Sequence, residues 1–154
     1  MSQPYPHTYE ASACGSPTGS VIVGSPRLET LSTAPPKEFG GPGDRWSPET
    51  LLVASVANCF VLTLRAVARA GGLPWTSLEC RVAGVLERVE GVTRFSRFVT
   101  NARLAVPPGT DETAARQALE RAEHGCLIAN SLRGERRLEA EVVVQEAAAV
   151  AIGA

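Results

Sequence analysis

Apolar residues change their spacing several times along the chain, and each change marks an element. Tyr9 to Cys14 and Ser20 to Gly24 read as short strands. Between them lies GSPTG, whose Gly, Pro and Ser favour a turn. Arg27 to Thr33 reads as a third strand that stops before Pro35 and Pro36. After the loop KEFGGPGDRW, Ser47-Pro48-Glu49 has the marks of a helix start: a hydroxyl at the N-cap, proline at the first helical position and an acid in the first turn. This helix is predicted to run to about Ala70 and to stop at Gly71-Gly72.

Partial alternation returns from Trp75 to Glu90 and from Thr93 to Val106, with Glu90-Gly91 placed to make a tight hairpin turn. Ala114, Ala118, Leu119 and Ala122 then recur at helical spacing behind a cap at Thr110 or Asp111. Gly125 interrupts that helix, and a short second one is expected from Cys126 to about Leu132. RLEAEVVVQE reads as a last strand, while the apolar tail AAAVAIGA, residues 147–154, fits no element. The predicted order is βββ-α-ββ-αα-β, an α+β fold without the βαβ units of a parallel sheet. The length points to a single domain over residues 1–154.

The segment Leu51 to Leu64 is apolar nearly all round, which calls for burial on every side. A helix of about 35 Å is hard to surround within so small a domain, so the expected cover is a second subunit. Ser55, Cys59 and Thr63 lie four apart on one face, with Asn58 beside them, and form a narrow polar stripe where a pocket can open. A lone buried cysteine usually packs as a small hydrophobe. Cys126, however, opens a helix, where unpaired N–H groups lower a thiol pKa, so the two thiols together point to a redox pair.

Charge narrows the function classes. Fifteen basic and sixteen acidic residues are scattered evenly, which leaves no electrostatic footprint for nucleic acid. MSQPYPHTYEASACG lacks the basic and apolar regions of a secretory signal, so a cytoplasmic protein is expected. The apolar run counts 14 residues and contains Ser55, Asn58 and Thr63, which argues against a membrane span. Cys14, Cys59, Cys80 and Cys126 form no Cys-x-x-Cys pair, and a zinc set of Cys59, His124 and Cys126 offers only three ligands at no recognisable spacing.

The segment PPKEFGGPGDRWSPETLLVASVANCF, followed after an Ala/Glu-rich helix by EHGCLIANSL, resembles the osmotically inducible protein C and organic hydroperoxide resistance family (OsmC/Ohr). The resemblance spans about residues 8 to 146. It implies an intertwined homodimer, with long central helices packed against antiparallel sheets and active sites at the subunit interface. It further implies a thiol peroxidase acting on organic hydroperoxides, with Cys59 peroxidatic, Cys126 resolving and Glu49 the helix-start carboxylate. No bound cofactor is implied; an external dithiol such as a dihydrolipoyl group resets the pair.

Glu49 and Cys59 stand about 15 Å apart along one helix, so a shared site requires Glu49 from a partner chain or a bridging cation. The family's activating arginine has no clear counterpart, because GSPTG contains none and the pre-helix loop holds only Lys37 and Arg45. A mid-helix thiol without a cation is expected to have a raised pKa and weak activity. Arg45, then Lys37 and Arg27, are the candidate replacements, each otherwise an ordinary surface charge. Trp46 and Trp75 are candidates to line a pocket or to cap the core. Cys14 and Cys80 are expected to pack on strands, and His124 either serves the Cys126 sulfur or sits exposed. The alternative to an enzyme is a non-catalytic dimeric module of the same fold that binds a small apolar ligand between its subunits.

Overall fold

The computed structural model describes residues 3–146, so the tail at 147–154 lies outside the described residues. Strands β1 (Ser12–Cys14), β2 (Val21–Gly24) and β3 (Leu31–Thr33) are followed by a single 3-10 turn, Lys37–Phe39. Then come helix α1 (Pro48–Gly71), the long strands β4 (Ser77–Val89) and β5 (Val92–Val106), helices α2 (Glu112–Gly125) and α3 (Leu127–Asn130), and strand β6 (Glu135–Val144). The expected element order and the α+β class hold. The third strand is shorter than patterned: Arg27 has φ 66° and belongs to the turn before it.

The chain forms two compact units whose boundary falls within α1, after Leu52. In the first unit β1, β2 and β3 make an antiparallel sheet in that order, and Thr33 bridges in parallel to Trp46. Ser47 begins α1 through reciprocal bonds: the Thr50 N–H donates to Ser47 Oγ at 3.2 Å, and the Ser47 N–H donates to Thr50 Oγ1 at 2.8 Å. These satisfy amide groups that a helix start leaves unpaired. At the other end the Leu73 N–H reaches back to the Ala68 carbonyl at 2.9 Å, which closes the last turn.

In the second unit the sheet order is β4-β5-β6. β4 and β5 form an antiparallel hairpin turned by Glu90 and Gly91, both at positive φ. β6 then pairs with β5 in parallel, from Arg97 opposite Glu135 to Val106 opposite Val144. The expectation of no βαβ unit is therefore corrected, since β5-α2-α3-β6 is such a crossover. The physical reason is that α2 turns its Ala115, Ala118, Leu119 and Ala122 onto one sheet face, and a helix lying there carries the chain back to the start of β5. The same small side chains share the core with Phe60 and Leu64 of α1 and with Ala102, Leu104, Val106 and Val142 of the sheet.

Only one stripe of α1 is buried within the chain, namely Val56, Phe60, Leu64 and Ala68 at four-residue spacing. Leu62 remains 51% exposed, so burial on every side is not achieved by one chain. By length and composition this helix could also cross a membrane, which corrects the argument from a short apolar run; here, however, its buried stripe serves a folded core. Trp75 and Cys80 are half-buried against that core, as expected of packing residues. Cys14 is exposed on β1 rather than packed.

A β-bulge between Val85 and Leu86 bends the hairpin beside Gly84. A Cβ at Gly84 would stand 2.8 Å from Phe95 Cε1 and 2.9 Å from Val53 Cγ2 of α1, so only glycine lets the strand lie this close. Gly84→Ala is expected to destabilise the protein by about 1–3 kcal/mol through overpacking. A denaturant titration with unchanged slope and a lowered midpoint would report it; an unchanged midpoint would show that Phe95 and Val53 yield freely.

Candidate thiol site

Cys59 sits at the middle of α1 and is half-buried, whereas Cys126 is fully buried. Cys126 is both the last cap of α2 and the first of α3, with extended backbone at φ −66° and ψ 105°. This sharp corner turns the chain so that the Cys126 thiol lies against α1, 3.9 Å from the Val56 carbonyl oxygen, and bonds the Cys59 sulfur. The end of α2 approaches α1 closely here, for a Cβ on Gly125 would stand 3.2 Å from Thr63 Cγ2. Two thiols far apart in the chain are thus brought close enough to shift each other's ionisation.

Around Cys59 the donors converge. The main-chain N–H groups of Ile128 and Leu127, the first turn of α3, point at its sulfur, as does the Cys126 thiol. One turn along α1, Thr63 Oγ1 lies 4.0 Å from Cys59 Sγ while donating to the Cys59 carbonyl at 2.8 Å. That hydroxyl carries one proton and two acceptors, so it can turn to the sulfur when the sulfur becomes an anion. Burial pushes the Cys59 thiol pKa up, but the Ile128 N–H, the Cys126 thiol, Thr63 and the Leu127 N–H together outweigh it and hold it below the usual value.

Cys126 moves the opposite way. Burial raises its pKa; an Ala129 N–H offsets part of this, and both the bond it gives to Cys59 and the charges of Cys59 and Glu123 add to the rise. The two expectations for these thiols are therefore exchanged. The helix start lowers not the cysteine that opens the helix but the one across from it, because the α3 amides face α1. Nor does the mid-helix thiol need a cation to lie below its ordinary value. Cys80 is pushed up to about 11 by burial and by the charges of Cys126 and Glu123.

The remaining candidates divide between the two units. Ser55 is half-buried on the same face of α1 as Cys59 and Thr63, and Asn58 is exposed beside them. Arg45, in the first unit, donates to Ser32 Oγ at 3.0 Å and lies 3.8 Å from the Asp44 carboxylate. Lys37 and Arg27 are exposed in the same unit. Trp46 is 47% exposed, which corrects a core-capping role for it. Glu49 Oε2 is buried with no hydrogen-bond partner among the described residues. His124 is exposed, its Nδ1 engaged with the Glu120 carbonyl at 2.8 Å rather than with a sulfur. Among the described residues no three His, Cys, Asp or Glu side chains gather as a metal would require.

Sequence reasoning misses the Leu127 and Ile128 amides. Main-chain donors have no signature in residue type; the only available signal is that a helix begins at position 127.

A half-buried thiol on a long helix thus lies near a buried one at the corner of two others, in an α+β fold of two sheets. The chain belongs to the OsmC family, described as OsmC-like protein, which it matches over residues 41–141. It is 31% identical over 134 residues to the organic hydroperoxide resistance protein of Xanthomonas axonopodis pv. citri, covering 83% of this chain and 88% of that protein. Among solved structures, an OsmC-like protein of unknown function from Vibrio cholerae superposes with a TM-score of 0.79 at 16% identity, over 88% of this chain and 99% of that one. An organic hydroperoxide resistance protein from Legionella pneumophila superposes with a TM-score of 0.71 at 25% identity, over 90% and 98%.

Brief alkylation with iodoacetamide near neutral pH, read by peptide mass spectrometry, is expected to modify Cys59 well before Cys126 or Cys80. Equal rates at Cys59 and Cys126 would contradict the donor assignment. Thr63→Val keeps the shape but removes the hydroxyl, so the midpoint of Cys59 alkylation against pH is expected to move upward.

Proposed function

We propose that the protein is a thiol-dependent peroxidase that reduces organic hydroperoxides. The observation that carries this reading is the Cys59–Cys126 contact, in which one thiol is held below its ordinary pKa and its partner above. The membership of the family and the likeness to organic hydroperoxide resistance proteins support it.

The Cys59 thiolate attacks the terminal peroxide oxygen, the O–O bond breaks, and an alkoxide leaves and is protonated to the alcohol. Cys59 is then a sulfenic acid. The Cys126 sulfur attacks the Cys59 sulfur, water leaves, and a Cys59–Cys126 disulfide forms. An external dithiol reduces that bond and restores both thiols. The half-buried position of Cys59 leaves it open to peroxide, while the burial of Cys126 shields it from direct oxidation. In this reading the amides of Ile128 and Leu127 take the part of an activating cation, and Arg45 is left to Ser32 and Asp44.

The reading includes a homodimer. Exposed Leu62 on α1 and the buried, unpartnered Glu49 Oε2 support a second chain that covers the helix and supplies a donor, since a buried carboxylate oxygen without one is costly. Glu49 then serves the Cys59 of the partner subunit, and Ser55 and Thr63 line the substrate pocket.

Cumene hydroperoxide is expected to consume two thiols per chain through a mapped Cys59–Cys126 bond. Cys59→Ser should abolish turnover and Cys80→Ser should leave it unchanged. Thiols that survive peroxide intact would instead make the protein a ligand-binding module. Sedimentation of the wild type is expected to give twice the mass of the chain.

A further inference from the structure

Arg136 is the second residue of β6, yet its guanidinium holds both helices of the Cys126 corner. Nε donates to Glu123 Oε1 at 2.8 Å, Nη2 donates to the Glu123 carbonyl, and Nη1 donates to Asn130 Oδ1 at 2.6 Å. Glu123 lies in the last turn of α2, and Asn130 is the last residue of α3. Asn130 in turn donates through Nδ2 to the His124 carbonyl at 3.0 Å, and its N–H donates to the Cys126 carbonyl at 2.9 Å. The Glu123 and Arg136 side chains are only 14% and 25% exposed, so this pair is less screened than an exposed one, and the fork geometry fixes direction as well as distance.

From this geometry we infer that Arg136 is a positioning residue for the resolving step, a clamp that sets where Cys126 stands relative to Cys59. The inference rests on the peroxidase reading. Both cysteines are free thiols, whereas a disulfide requires sulfurs about 2.05 Å apart, so closing the bond demands a further approach. Cys59 belongs to a helix of 24 residues with a buried stripe, while Cys126 belongs to a corner followed by a helix of four. The corner is the lighter part to move. Held at both ends by one side chain, it swings as a unit with the Leu127 and Ile128 amides, so sulfur and donors keep their register. Misplacement by about 1 Å can cost on the order of a hundredfold in such a step.

The step itself is unchanged: Cys59–SOH and Cys126–SH give the disulfide and water. Its competitor is a second hydroperoxide, which oxidises Cys59–SOH to sulfinic acid and is itself reduced to an alcohol. Releasing the clamp should therefore slow closure and divert Cys59 to the sulfinic state.

The test follows single-turnover oxidation of full-length wild type, Arg136→Met, Arg136→Lys and Asn130→Ala, with disulfide and sulfinic fractions read by mass spectrometry against cumene hydroperoxide concentration. Asn130→Ala keeps the Glu123 pair and releases only the α3 end, which guards against a variant that fails to fold. Arg136→Met is expected to close the disulfide about tenfold or more slowly while the first oxidation of Cys59 stays within about twofold. Asn130→Ala should show the same split to a lesser degree, and Arg136→Lys, which lacks the fork, should not restore the rate. Closure at wild-type rate in Asn130→Ala and in folded Arg136→Met would overturn the clamp and leave the peroxidase reading standing. A parallel fall in both steps would also overturn it, because a merely structural residue acts on both. Wild type that forms no Cys59–Cys126 bond would remove the peroxidase reading and the clamp with it.

Discussion

A half-buried sulfur that is to carry charge needs fixed donors in place of some of its water, and the arrangement of this molecule around Cys59 supplies amides. Leu127 and Ile128 aim their N–H groups across at the half-buried Cys59 of α1. These amides cannot be mutated away and cannot drift as a long arginine side chain can. Their placement depends on one residue, Cys126, whose extended backbone ends one helix and begins the next. The same turn that presents the donors also presents the second thiol. Geometry at one corner therefore sets both the ionisation of Cys59 and the proximity of its partner.

The contact is polar in the chemical sense. The two sulfurs act on each other directly, so whatever favours an anion on the first disfavours one on the second, and the Glu123 charge deepens the difference. Burial alone would have raised both. The asymmetry arises because donors are shared unequally between two sulfurs that lie side by side, two α3 amides on one and a single amide on the other.

Much of this fold was legible in residue order. The Ser47-Pro48-Glu49 start, the Glu90-Gly91 turn and the Asp111 cap are local signals, and each element they bound is where the pattern puts it. The parallel pairing of β6 was not legible, because register between distant strands is decided by how α2 packs and leaves no local trace. Arg27 read as a strand residue because its neighbours alternate, yet the turn places it at positive φ. At the site, both thiols stood out by residue type and by position on helices. The direction of their shifts did not, since it depends on which way a short helix points. Of the two roles that residue order leaves open for Trp46, only the structure sets aside capping the core: its main chain bridges to Thr33 while the residue stays 47% exposed.

The crossover between β5 and β6 also bears on how the molecule comes into being. Arg97 meets Glu135, which lies 38 positions further along the chain, and Arg136, which braces the corner, lies beyond both sulfurs. During synthesis from the N-terminus, Cys59 is made long before the strand that holds its surroundings in place. A nascent chain thus exposes a thiol with neither its amide donors nor its neighbour. The complete setting of the Cys59 sulfur, corner and brace together, exists only once β6 has been made.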